Sequence, residues 1–131
     1  MAVAIVAFYG GLNALIVLVL AVLVTRQRFV TDTMIGAGDS PAMLQAMRAH
    51  ANAAEYVPII LLLLLLLALL GLAPRSLHAL GIALTVGRLL HGWGLSRNPG
   101  RSFGRFVGML LTWAVMAAAL ALCLALAVAQ L

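Results

Sequence analysis

The sequence contains no lysine, one cysteine, and three acidic residues, Asp32, Asp39 and Glu55. With Cys123 alone, no intrachain disulfide forms, and no Cys/His cluster has metal-ligand spacing, so no metal is expected. Cys123 lies in a late apolar run and reads as a small apolar residue. Charged residues make up 8% of the chain, against about 25% in ordinary soluble domains. That scarcity excludes a soluble globular domain. What is present is apolar: 66% of residues are hydrophobic and the mean hydropathy is +1.19. The composition is that of an integral membrane protein, one domain over residues 1–131. All eight basic residues are Arg, and the net charge is +5. In a soluble chain this balance would suggest nucleic acid. Here most Arg lie near the ends of apolar spans, so they set membrane orientation and an anion site, with no nucleic-acid partner.

Four apolar segments are separated by short polar ones. Residues 2–24 have about the ~20 residues a bilayer crossing needs. They lack a charged front and a small-residue cleavage site, which reads as a membrane helix and not a removable signal. Gly10, Gly11 and Asn13 interrupt this span and point to helix–helix contact. Residues 25–40 are rich in Thr, Asp and Gly and are expected to form a loop. Ser40 and Pro41 form an N-cap followed by Pro at the first helical position. They open a helix over 41–70 of ~45 Å at 1.5 Å per residue, longer than a ~30 Å hydrocarbon core. Pro58 predicts a bend within it. Residues 71–76 connect to a third span over 77–95, with Ser76 as its N-cap. The Asn-Pro-Gly turn then leads to a fourth span over 103–129. The expected fold is all-α, an integral membrane up-down four-helix bundle. Arg26, Arg28, Arg97 and Arg101 sit in the first and third loops, whereas Arg75 stands alone on the opposite side. The positive-inside rule then places those two loops in the cytoplasm and both termini outside.

The stretch carrying the chemistry is Arg48-Ala49-His50-Ala51-Asn52-Ala53-Ala54-Glu55-Tyr56-Val57-Pro58. It holds the only Glu and precedes the most apolar run, residues 59–70. A charge in a membrane helix is costly and marks a functional site by default. Arg48, Asn52, Glu55 and Tyr56 are spaced i, i+4, i+7, i+8, so they share one helix face with Gln45, while His50 points nearly the opposite way. Structural roles are also available: Arg48 and Glu55 paired with other helices, Asn52 joining helices. As a set they are better explained by a ligand, because small residues hold bundles at far lower desolvation cost. Arg offers a fork for carboxylates, Glu accepts an ammonium, and Asn and Tyr add neutral hydrogen bonds. The matching ligand is an anionic or zwitterionic, peptide-like molecule. Arg26, Arg28, Arg88, Arg101 and Arg105 converge from the same side.

These residues resemble the R-x-x-x-N-x-x-E-[YF]-x-P signature of the MAPEG family, the membrane-associated proteins in eicosanoid and glutathione metabolism. Arg88-Leu-Leu-His91-Gly92-Trp93 resembles the family's second motif, and Pro99-Gly-Arg101-Ser-Phe-Gly-Arg105-Phe-Val-Gly108 resembles the segment opening its fourth helix. The resemblance covers the whole chain. It implies a homotrimer that binds glutathione, as co-substrate, between neighbouring subunits. It also implies that Arg48, Asn52, Glu55 and Tyr56 bind glutathione with Arg26, joined by His50, Arg88 and Trp93. An Arg at the start of the fourth helix would stabilise the glutathione thiolate for attack on a lipophilic electrophile or hydroperoxide arriving through the bilayer. Arg101 and Arg105 both fit that role. Leu89 and Trp93 stand where several animal members have Tyr, and His50 and His91 where leukotriene-synthesising members have Gln. This is similar to the bacterial branch, which implies a bacterial inner membrane.

The chemistry is coherent without the family. A free thiol with a pKa near ~8.5 is mostly protonated at neutral pH, and a neighbouring Arg lowers that value. No protein nucleophile is then required. His91 is expected to hydrogen-bond within the bundle, with a general-base role as the alternative. A non-catalytic lipid- or glutathione-binding protein remains open, as does a small four-helix exporter. An exporter would place its carboxylate near the bilayer midplane without surrounding Arg, whereas Glu55 lies near one end and shares a face with Arg48.

Overall fold

Apolar chain in lipid must satisfy its backbone internally, which leaves helices as the simple solution. A computed structural model of the chain describes residues 1–97 and 102–131. It contains α1 (Ala2–Thr31), α2 (Pro41–Leu69), α3 (Pro74–Arg97) and α4 (Phe103–Val128), with no strand among the described residues. The helices alternate in direction. α2 and α3 form the middle of the bundle, α1 and α4 each pack on both, and α1 and α4 do not meet. α1, α2 and α4 are long and apolar enough to cross a membrane. α3, expected as a fourth span, has 24 residues, ~36 Å at 1.5 Å per residue, but it is more polar than the other three. Its ionisable side chains Arg88 and His91 are turned inward and buried.

Helix ends differ from expectation in α1 and α3, and α3 also runs on to Arg97, past the expected end at residue 95. α1 continues through residues 25–31, which the Thr and Asp content suggested were loop. The Thr25 and Thr31 hydroxyls donate back to the carbonyls of Ala21 (3.1 Å) and Gln27 (2.9 Å), so they do not compete with the helix for its amides. The helix stops at Asp32, in the left-handed region with φ 49°, where the Thr33 amide donates to Arg28 O at 3.1 Å. Arg28 then donates to the carbonyls of Thr33 and Met34 at 3.2 and 2.7 Å, so this cation holds the chain that leaves α1 against its last turn. α3 starts at Pro74 and not at residue 77. The amides of Ser76 and Leu77 both donate to Ala73 O, which puts Ser76 inside the helix. Pro74 is favoured at that first position because its missing N–H would have no partner there.

Ser40, Gly71 and Asn13 act as expected, whereas Gly11, expected at a helix–helix contact, has nothing within 4 Å of an added Cβ. Ser40 caps α2 by accepting from the Met43 amide at 3.2 Å, with Pro41 at N1. Gly71 ends the α2 region at φ 86°, and the Leu72 amide closes on Leu67 O at 2.9 Å. α2 is continuous through Pro58. Asn13 is fully buried and donates to Thr85 Oγ1 on α3 at 3.0 Å, joining two helices.

The contact that most constrains the site is between α3 and α4. A Cβ on Gly94 would lie 2.6 Å from the Arg105 amide nitrogen, and one on Gly108 would lie 2.5 Å from Gly87 O. Small residues permit this backbone approach, the usual way lipid-embedded helices gain packing energy. It holds the first turn of α4 against the last turns of α3.

Candidate functional site

The first half of α2 presents an arc of polar side chains toward the α3–α4 pair. At ~100° per residue, Gln45, Arg48, Asn52 and Tyr56 fall within one narrow stripe. They meet α3 and α4 around two adjoining spaces. One is a cavity of about 250 Å³ lined by Gln45, Arg48 and Asn52 from α2, His91 and Leu95 from α3, and Arg105 from α4. The other is a groove of about 1030 Å³ lined by Tyr56 together with Phe103, Phe106, Met109, Leu110 and Trp113 of α4. Asn52, His91 and Arg105 line both. The first space carries two amides, two guanidinium groups and an imidazole among the apolar Pro41, Leu44 and Leu95. Its neighbour is aromatic and apolar.

Beneath the shared wall lies Arg88, 0% exposed. It donates to Asn52 Oδ1 at 2.9 Å and to Thr112 Oγ1 at 3.4 Å, and it stands 3.3 Å from His91 Nδ1. A guanidinium can only donate, so His91 Nδ1 accepts and the neutral ring carries its proton on Nε2. That state has no free ring lone pair, which makes His91 a hydrogen-bonded member of the bundle and no general base. Asn52, with Oδ1 engaged by Arg88, has its amide N–H groups left for a ligand. The Gln45 amide donates to the Leu95 carbonyl. Tyr56 Oη accepts from Trp113 Nε1 at 3.2 Å, so the phenol proton is free to be donated elsewhere.

The structure thus brings together Arg48, Asn52 and Arg105 in the cavity and Tyr56 in the groove. Arg88 does not line either space; it supports the wall from behind. Glu55 is exposed and absent from both linings, although at ~100° per residue it lies only about 20° around the helix from Arg48, so what excludes it is the packing of the neighbouring helices and not its angle. Arg26 is exposed, His50 half-buried and Trp93 59% exposed, and none of them lines either space. Arg101 lies outside the described residues. The α4 groove and the Trp113–Tyr56 contact were not anticipated. Phe106, Met109, Leu110 and Trp113 at helical spacing were the available signal, but in a membrane helix such a stripe is indistinguishable from a lipid-facing one. The Gly104-x-x-x-Gly108 spacing was the readable sign of the α3–α4 contact.

A bundle of long apolar helices with a cavity and an adjoining apolar groove near one end defines a class: small four-helix integral membrane proteins. The chain belongs to the MAPEG family, whose model matches residues 6–125. That family includes glutathione transferases and peroxidases. The chain is also similar to the inner membrane protein YecN of Escherichia coli strain K12, at 33% identity over 110 residues. These cover 84% of this chain and 82% of that protein. The protein of the same name from Escherichia coli O6:H1 strain CFT073 matches with the same figures.

Proposed function

We propose that the protein is a glutathione-dependent membrane transferase or peroxidase that activates the glutathione thiolate for attack on lipophilic electrophiles or hydroperoxides. The observation that carries this reading is the junction at Asn52, His91 and Arg105, where a cavity suited to an anionic peptide opens beside a groove suited to a lipophile. Arg48 takes a carboxylate as a fork, and Asn52 adds amide donors. A guanidinium at the start of α4, Arg105 or Arg101, lowers the thiol pKa from ~8.5 and holds the thiolate. The electrophile reaches the sulfur from the bilayer side along Phe106, Met109 and Trp113, so the two reactants meet in a fixed geometry.

The assembly in this reading is a homotrimer in a bacterial inner membrane, with the site end facing the cytoplasm. Two observations support it. Arg26 and Glu55 stand exposed outside the cavity, available to a neighbouring copy. The Arg excess lies at the site end, and the relative YecN is an inner membrane protein.

Purified protein in detergent should bind glutathione in a calorimetric titration and develop the ultraviolet absorbance of a thiolate at neutral pH. Absence of binding at millimolar glutathione would remove the enzyme reading. Binding without the thiolate signal would make the protein a non-catalytic binder.

A further inference from the structure

We infer that Arg88 is the buried charge for which the anion in the cavity is the counter-ion, acting on it through Asn52 and His91. Arg88 is fully buried, and its partners Asn52, Thr112 and His91 are all neutral. Its Nε has no hydrogen-bond partner. The three acidic side chains of the sequence, Asp32, Asp39 and Glu55, are all exposed. A guanidinium does not shed its proton in proteins. Its burial inside a membrane bundle without a carboxylate is therefore a large standing cost. Tying α2, α3 and α4 together does not account for that cost, since neutral residues join membrane helices more cheaply.

The geometry shows where the charge acts. Two of the three partners, Asn52 and His91, form the wall shared by the cavity and the groove. Arg88 occupies the acceptor atom of each, so what remains at both is N–H. The third partner, Thr112, donates its own proton to Gly108 O at 2.8 Å and so accepts from Arg88. An anion on this wall meets donors polarised by a fixed positive charge behind them, and such charge-backed hydrogen bonds exceed neutral ones. The bound anion then supplies the compensation that the chain itself does not. Arg88 is a positioning residue: it orients Asn52 and His91 and selects a ligand by its sign. This inference depends on the reading above only for which anion is bound.

The test is thermal unfolding of the full-length protein in detergent, for the parent, R88Q and R88K. The additives are glutathione, and sodium sulfate compared with sodium chloride at matched ionic strength. Glutathione should raise the parent Tm, and sulfate should raise it beyond chloride. R88Q, which keeps hydrogen bonding and drops the charge, should lose most of both rises, with glutathione affinity weaker by roughly 10- to 100-fold. R88K should retain most of them. A merely structural tie predicts the opposite split: R88Q lowers the Tm of the anion-free protein but keeps the full rise with either anion, which overturns the inference. It is also overturned if R88K loses the rises as completely as R88Q. Should R88Q not fold, the parent decides: no rise with either anion overturns the inference. A parent stabilised by sulfate but not by glutathione, with the rise lost in R88Q, supports the counter-ion role and removes the glutathione reading instead.

Discussion

Arg48 and Arg88 show why two arginines of one site do different work. Arg48 is exposed and lines the cavity, so its fork is free for a carboxylate. Arg48→Ala should weaken glutathione binding by about 10-fold or more, in line with the loss of a charged hydrogen-bonded pair, measured by calorimetry. Arg48→Lys should recover only part, because a point charge does not reproduce the bidentate fork. Tyr56 and Trp113 belong to the lipophile's side. With the indole N–H on Tyr56 Oη at 3.2 Å, Trp113→Phe frees the phenol from a fixed orientation. The expected outcome is a raised KM for a lipophilic electrophile with glutathione affinity unchanged. Equal effects on both substrates would place Trp113 in the glutathione site instead. The Arg48, Asn52 and Tyr56 set was legible from spacing alone. The outward position of Glu55 was not, because i, i+4, i+7 and i+8 define a face about 100° wide, and only the packing partners show which part of it is covered.

At the scale of elements, the α3–α4 contact fixes where Arg105 lies. Gly108→Leu would drive a side chain into Gly87 O and the His91 backbone, both 2.5 Å from the added Cβ. It should destabilise the protein by several kcal/mol (~3 or more), since backbone cannot yield as a flexible side chain does. Gly11→Ala, with nothing within 4 Å of its Cβ, is the control and should leave the Tm nearly unchanged. Both are read by thermal unfolding in detergent. The cap at Ser40 gives a smaller figure: Ser40→Ala should cost about 1 kcal/mol, by the same measurement. The helix start at Ser40-Pro41 was legible because both residues have one dominant local use there. The end of α1 was not. Thr25 and Thr31 are ambiguous in sequence, being as able to bond back to a preceding carbonyl as to initiate a loop.

For the whole molecule, the exposed apolar faces of α1, α2 and α4 suit lipid or another copy of the chain, and the polar set gathers at one end. A homotrimer is the assembly proposed. Native mass spectrometry from detergent should give a mass three times that of the 13.7 kDa chain. A monomer that still binds glutathione at full strength would show that one chain holds a complete site. The cavity and groove both depend on α4 lying beside α3 and α2, so changes at the Gly94 or Gly108 contact should impair binding and stability together, whereas Arg48→Ala should affect binding alone.

The sequence by itself determined the membrane class, the four helices and most of α2's polar stripe. Hydropathy and helical periodicity are local properties, and lipid leaves the backbone few other choices. Only the tertiary structure decided that Arg88 is buried behind the wall, that Arg28 holds the loop after α1, and that Arg105 joins Arg48 at one cavity. It alone set an apolar groove beside that cavity. Each of these depends on which helices approach closely enough to touch. That approach is set by glycine contacts and side-chain packing between segments far apart in the chain, which no local pattern encodes.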